Sequence, residues 1–287
     1  MATAVAEPAL PAAPAAPRPL VKRHRLSTRI WHGVNALAMA ALLGSGLMIF
    51  NAHPRLYWGS HGAQPDRPWM EIGSSETEGF LRVGSITVET TGVLGHFQQD
   101  GQTRRNAFPG WATIPSYYDL AGARRWHLFF AWILGLSLLG FMIAGFATRH
   151  FQRDLVPTRD ELKPTHIWAD VKDHARLRLP VGEAALHYGI LQKLSYFAVI
   201  FILTPVIIGT GLTMSPALNI AWPWMLDLFG GRASARSLHF IAAALLFGFF
   251  VVHIVMTLVS GPWNQVRGMV TGRFRLPAER IRPEQVQ

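Results

Sequence analysis

The stretch RSLHFIAAALLFGFFVVHIVMTLVSG, residues 236–261, decides how the rest of the chain is read. From Leu238 to Val259 it carries no Asp, Glu, Lys or Arg, and its only ionisable side chains are His239 and His253. A run of about 20 apolar residues is what a helix needs to cross the hydrocarbon core of a bilayer. The segment therefore predicts a membrane-spanning helix. Imidazole is costly at that depth, and ionisable residues inside spans usually serve a function. The two histidines are 14 positions apart, roughly 21 Å at the helical rise, and the turn between them is nearly four full revolutions. Both rings thus project from one face, one near each membrane surface.

Three further apolar segments lie upstream, at about 30–50, 126–147 and 191–214, with 238–259 as the fourth. Half of the 287 residues are apolar and 15% are charged, against roughly 25% in typical soluble proteins. These features predict an all-α integral membrane bundle of four helices. Residues 1–20 are Ala/Pro-rich without periodicity and read as a disordered tail, with no secretory signal. Residues 21–264 form the membrane domain and 265–287 a C-terminal tail. A long polar loop rich in Gly, Thr, Trp and Pro occupies 51–125. The link at about 215–237, with Trp222, Trp224 and Phe229, predicts an interfacial turn or short helix.

Charge sets the expected orientation. The N-tail, the 148–193 segment and the C-tail fall on one side and hold 18 of the 27 Lys and Arg, with 9 of the 17 acids. The positive-inside rule places both termini in the cytoplasm and the 51–125 loop outside. The formal charge of +10 is thereby accounted for by membrane topology, and no nucleic-acid partner is implied.

The chain has no cysteine. This excludes disulfides, thiolate-bound clusters, cysteine zinc sites and covalent attachment of c-type haem. Any metal must be held by His, Met or carboxylates.

Of the twelve histidines, four sit within apolar segments: His32, His127, His239 and His253. With alternating spans, His127 and His239 fall near the outer surface, and His32 and His253 near the inner one. Each pair can supply two axial imidazoles to one haem iron across a bundle core. The two irons would be about 20 Å apart by the helical rise. A single tetrahedral zinc or di-metal site cannot be built from ligands a membrane thickness apart. Arg29, Arg124 and Arg236 each precede a ligand by three positions, sharing its face one turn nearer water, where a haem propionate would pair with guanidinium.

The matching stretches RIWHGVN (29–35), RRWHLFFAW (124–132), HYGILQKLSY (187–196) and residues 236–261 are similar to the prokaryotic cytochrome b561 family. More narrowly they resemble the cytochrome b subunits of formate dehydrogenase, thiosulfate reductase and nickel–iron hydrogenase. The resemblance implies two b-type haems on His32, His127, His239 and His253, and a bacterial inner-membrane location. It also implies electron exchange with an external catalytic subunit, and a quinone near the cytoplasmic haem. The quinone contacts would be His187, Tyr188, Gln192 and Lys193, with Gly189 where the family has Asn. No catalytic side chain is implied for the chain itself. The long loop resembles a branch that works with molybdopterin-containing, sulfite-oxidase-like enzymes, and LYWGSHG (56–62) and FPGWATIPSYYDLAG (108–122) would suit a docking surface. Two rival readings use the same residues: a stand-alone superoxide- or ferric-reducing cytochrome b, and a non-redox transporter with a histidine proton relay.

Overall fold

The computed structural model describes residues 19–63 and 66–277. The expected tail over 1–20 therefore lies almost wholly outside the described residues, as does the end of the C-terminal segment.

Among the described residues, four helices are long and apolar enough to cross a membrane: Leu26–Phe50, Leu120–Ala147, Ala184–Thr213 and Arg232–Val259. The first two are α1 (Leu26–Phe50) and α2 (Leu120–Ala147). Helix α2 begins well before its apolar run because Asp119 caps it, its Oδ1 accepting the Gly122 N–H at 2.8 Å. Buried Ala38 and Ala41 of α1 pack with Phe130 of α2, small residues letting the two backbones approach.

A basic and acidic segment holding α3 (Pro164–Ala175) leads to the third span. That span is a composite of α4 (Ile190–Phe197), a π-helical stretch Ala198–Leu203, and α5 (Thr204–Thr213). The irregularity has a local cause. Pro205 has no N–H to give to Phe201 O, four residues back, and the wider turn is held by Thr204, whose N–H and hydroxyl both donate to Val199 O, the hydroxyl at 2.7 Å. Two short helices, α6 (Pro216–Ala221) and α7 (Trp224–Leu228), make the link to the fourth span, α8 (Arg232–Val259).

The bundle is two helix pairs: α1 packs along α2, and α5 packs along α8, while contacts between the pairs are sparse. A cavity occupies the gap. At one end two short strands from the outer limits of the described residues are clasped together. Strand β1 (Leu20–Lys22) pairs antiparallel with β8 (Arg273–Arg275), which follows α9 (Pro262–Thr271).

The opposite end corrects one feature of the sequence reading. The segment after α1 is no plain loop. It holds a four-stranded antiparallel sheet of β2 (Arg55–Leu56), β3 (Met70–Ser74), β4 (Gly79–Val83) and β5 (Ile86–Glu89), then a hairpin of β6 (Phe97–Gln99) and β7 (Gln102–Arg104). The fold is mostly helical with this small β layer added. Leu56, Met70, Ile72 and Ala107 bury against Phe50 at the end of α1, with Phe240 of α8 packed alongside. Polar contacts clamp the layer to α8. Trp69 Nε1 donates to Ser237 Oγ at 2.9 Å, and that hydroxyl donates to Tyr57 O at 2.6 Å. Gly231, at φ +100°, lies against the Gly59–Ser60 backbone, where a Cβ would come within 2.5 Å of Ser60 Cα. Only glycine satisfies both demands.

Candidate functional site

The cavity between the helix pairs has a volume of ≈ 3490 Å³ and is lined by residues of all four spans. That is several times the ~300–1,000 Å³ of an ordinary small-molecule pocket. Its walls are largely apolar, and its cationic side chains gather at the ends. Arg124, Arg232 and Arg236 line the sheet-bearing end, and Arg23 and Arg178 the end near the termini.

Two pairs of imidazoles face each other across it. His127 of α2 and His239 of α8 have ring centres 6.2 Å apart near the sheet-bearing end. His32 of α1 and His253 of α8 repeat the 6.2 Å spacing near the termini. Two imidazoles bound to opposite sides of one iron have ring centres about 6.2 Å apart, given a metal–nitrogen bond of about 2.0 Å and about 1.1 Å from each nitrogen to its ring centre. Both pairs match that spacing. No group of three or more His, Cys, Asp or Glu converges as an ion site among the described residues. Each pair thus offers two ligands only, which suits a macrocycle that brings four nitrogens of its own and not a bare ion. The donor set and the apolar gap fit a haem at each pair.

The rings of His127 and His239 are seated by neighbouring helices. His127 Nδ1 is 3.0 Å from Ser45 Oγ of α1, and His239 Nδ1 is 3.1 Å from Thr210 Oγ1 of α5. The residue after each hydroxyl is glycine. A Cβ on Gly46 would lie 3.3 Å from His127 Cε1, and one on Gly211 would lie 3.4 Å from His239 Cε1.

The arginines divide. Arg124 and Arg236 both line the cavity, and a nitrogen of Arg236 also donates to His53 O. Arg29 does not line it. Its Nε donates to Met269 O at 2.8 Å and a second nitrogen donates to Val270 O, so it caps the last carbonyls of α9. Arg23 takes the cavity-lining place instead, its guanidinium 4.2 Å above the Phe274 ring. Beside it, His24 is pushed down to about 4, first by burial and then by the positive charge of Arg23, His32 and Arg29.

The four residues that open the third span also divide. His187, Tyr188 and Gln192 line the cavity, whereas Lys193 does not and its Nζ is paired at 2.8 Å with Glu161, which does. That ion pair holds the Glu161 carboxyl below its usual range. Gln192 Oε1 also accepts the Gly189 N–H at 3.2 Å, capping α4. From Tyr188 an aromatic chain leads inward: Tyr196 at 5.4 Å, Phe249 at 6.4 Å from Tyr196, and His253 at 5.9 Å from Phe249.

Reasoning from the sequence missed Ser45, Thr210, Arg23 and Arg232. A usable signal was present for the first two: Ser45-Gly46 and Thr210-Gly211 are hydroxyl–glycine pairs inside apolar spans.

Comparison with known proteins agrees in kind. The family described as prokaryotic cytochrome b561 matches residues 23–272. A chain from Azospira oryzae, YedZ1, named as a protein-methionine-sulfoxide reductase subunit, is 30% identical over 138 residues. The match covers 48% of this chain and 65% of that relative's length. No solved structure matches.

Proposed function

The chain belongs to the prokaryotic cytochrome b561 family, membrane electron-transfer proteins that bind haem b, and on that premise we propose a specific role for it. It is a di-haem subunit that carries electrons across the bacterial inner membrane. The exchange runs between an oxidoreductase outside, of the molybdopterin-containing type, and the quinone pool. The observation that carries this reading is the repeated 6.2 Å spacing of two imidazole pairs near opposite ends of one cavity.

His127 and His239 would hold the outer haem, and His32 and His253 the inner one. When bound, each haem supplies a one-electron carrier. Arg124, Arg236 and Arg232 stand where carboxylates of the outer group would be paired, and Arg23 stands in the corresponding place at the inner end. The largely apolar walls offer water few hydrogen-bond partners in the gap between the ring pairs.

Both termini are assigned to the cytoplasm, from the Lys and Arg bias. The mouth lined by His187, Tyr188 and Gln192 then faces the cytoplasmic leaflet, within reach of a lipid-soluble quinone. His187 supplies the proton-handling group at that mouth, its ring nitrogens serving as hydrogen-bond donor and acceptor. Lys193 is held by Glu161, which itself lines the cavity, so its ammonium is engaged there in place of contacting the quinone directly. The β layer faces outward and offers the external partner a folded surface with Trp111 and Tyr117 exposed. The Azospira oryzae relative supports a partner of the oxidoreductase kind, since its own name makes it a reductase subunit.

The test is haem stoichiometry. The purified chain is expected to hold two b haems by pyridine haemochrome assay. No haem, after expression with adequate haem supply, would remove the redox reading altogether.

A further inference from the structure

We propose that Ser45 and Thr210 are positioning residues that fix the tautomer of the His127–His239 pair and make that redox centre inequivalent to the one held by His32 and His253. The proposal rests on the reading that each ring pair ligates one haem iron.

The same construction occurs twice, on helices that share no sequence repeat. Ser45 Oγ donates to Ala41 O at 2.6 Å, and Thr210 Oγ1 donates to Val206 O at 2.7 Å. Each hydroxyl proton is thereby committed to a carbonyl one turn back. What each hydroxyl has left to offer the facing ring is a lone pair. The contacts at 3.0 Å and 3.1 Å therefore require the proton on Nδ1 of His127 and of His239, where the Leu42 and Ile207 carbonyls share it with the hydroxyls. Nε2 is then the bare nitrogen, the form that ligates a metal. Both hydroxyls are fully buried, so water does not compete for these contacts. The glycine that follows each one admits the ring to this distance.

Back-bonding alone would satisfy a buried Ser or Thr, and small residues suit helix packing in membranes. Neither explains why both hydroxyls meet an imidazole Nδ1. The inner pair lacks the device. The rings of His32 and His253 have no such partner among the described residues, and His253 stacks on Phe249. An imidazole whose N–H is held by an acceptor is a more basic ligand, which favours the ferric state and lowers the potential of its centre.

The full chain, purified with its haems, is titrated spectroscopically in wild type, Ser45→Ala and Thr210→Val. Each substitution is expected to raise the midpoint of one haem and leave the other unmoved. Retention of that same haem should weaken about 10–100-fold. Ser45→Thr and Thr210→Ser restore a hydroxyl and are expected to behave as wild type. Unmoved midpoints, equal shifts in both haems, or failure of the conservative variants to rescue would overturn the proposal. Fewer than two haems in the wild type would overturn the ligand reading beneath it; two haems with unmoved midpoints would overturn the hydroxyl assignment alone.

Discussion

Thr210 of α5 and His239 of α8 belong to one helix pair, and their 3.1 Å contact aims the imidazole across the gap at the other pair. Ser45 and His127 do the same from the opposite wall. The cavity is thus bounded by two walls that each carry their own histidine already braced. The arrangement explains why the walls need so little contact with one another: a group bridging the rings would join them.

The glycines next to these hydroxyls set a first prediction. Alanine at Gly46 or Gly211 asks the ring to yield by a few tenths of an ångström and should be tolerated. Valine at Gly211 adds methyl groups toward the His239 ring, an overpacking cost of about 1–3 kcal/mol. The variant is expected to lose one haem, counted by absorbance per chain, while Gly211→Ala keeps both.

A second prediction concerns the β layer. Glu71 is buried and bound by Arg55 at 2.7 Å and by Arg82 at 3.3 Å. Removing one partner of a fully buried pair costs about 3–5 kcal/mol, and less here because both arginines reach solvent. Glu71→Ala should loosen residues 51–118 by about 2 kcal/mol. Limited proteolysis is expected to cut that segment faster than in Glu71→Gln, which keeps one acceptor oxygen for Arg55, and haem content should not change.

Third, His24 gives stability a pH dependence. Its folded value of about 4 lies below the ordinary 6.5, so above 6.5 the ring is neutral in both states and contributes no slope. Between 6.5 and 4 the unfolded chain takes up a proton that the folded chain does not, and stability falls as the pH drops. Thermal melts over that window should show the loss, and His24→Gln should flatten part of it. An unchanged slope would remove His24 as its source.

Fourth, the quinone reading assigns His187 to the substrate mouth and not to haem binding. His187→Ala is expected to slow haem reduction by a quinol about 100-fold, the lower end of what a lost general acid–base group costs. Reduction by dithionite and haem content should stay as in wild type. Equal quinol rates in the two proteins would move the quinone elsewhere.

The long apolar spans were legible because hydrophobic run length registers directly in sequence, and the 14-residue interval on α8 placed His239 and His253 on one face. The β layer was not, because its strands are two to five residues long and bury only a few side chains, such as Leu56 and Ile72, against the ends of α1 and α8. Arg29 shows a different limit. Its spacing from His32 gives the two a common helix face, but the unpaired carbonyls at the end of α9 compete for its donors. Spacing along one helix carries no information about α9. Ser45 and Thr210 were passed over because a single hydroxyl in a span reads as ordinary, and only the facing ring gives it meaning.

The most direct measurement is the haem count of single-histidine variants beside the wild type. Two b haems per wild-type chain, with one in His127→Ala and one in His253→Ala, and different bands lost in each, is the predicted result. Two haems surviving in either variant, or none in the wild type, would contradict the assignment of one haem to each imidazole pair.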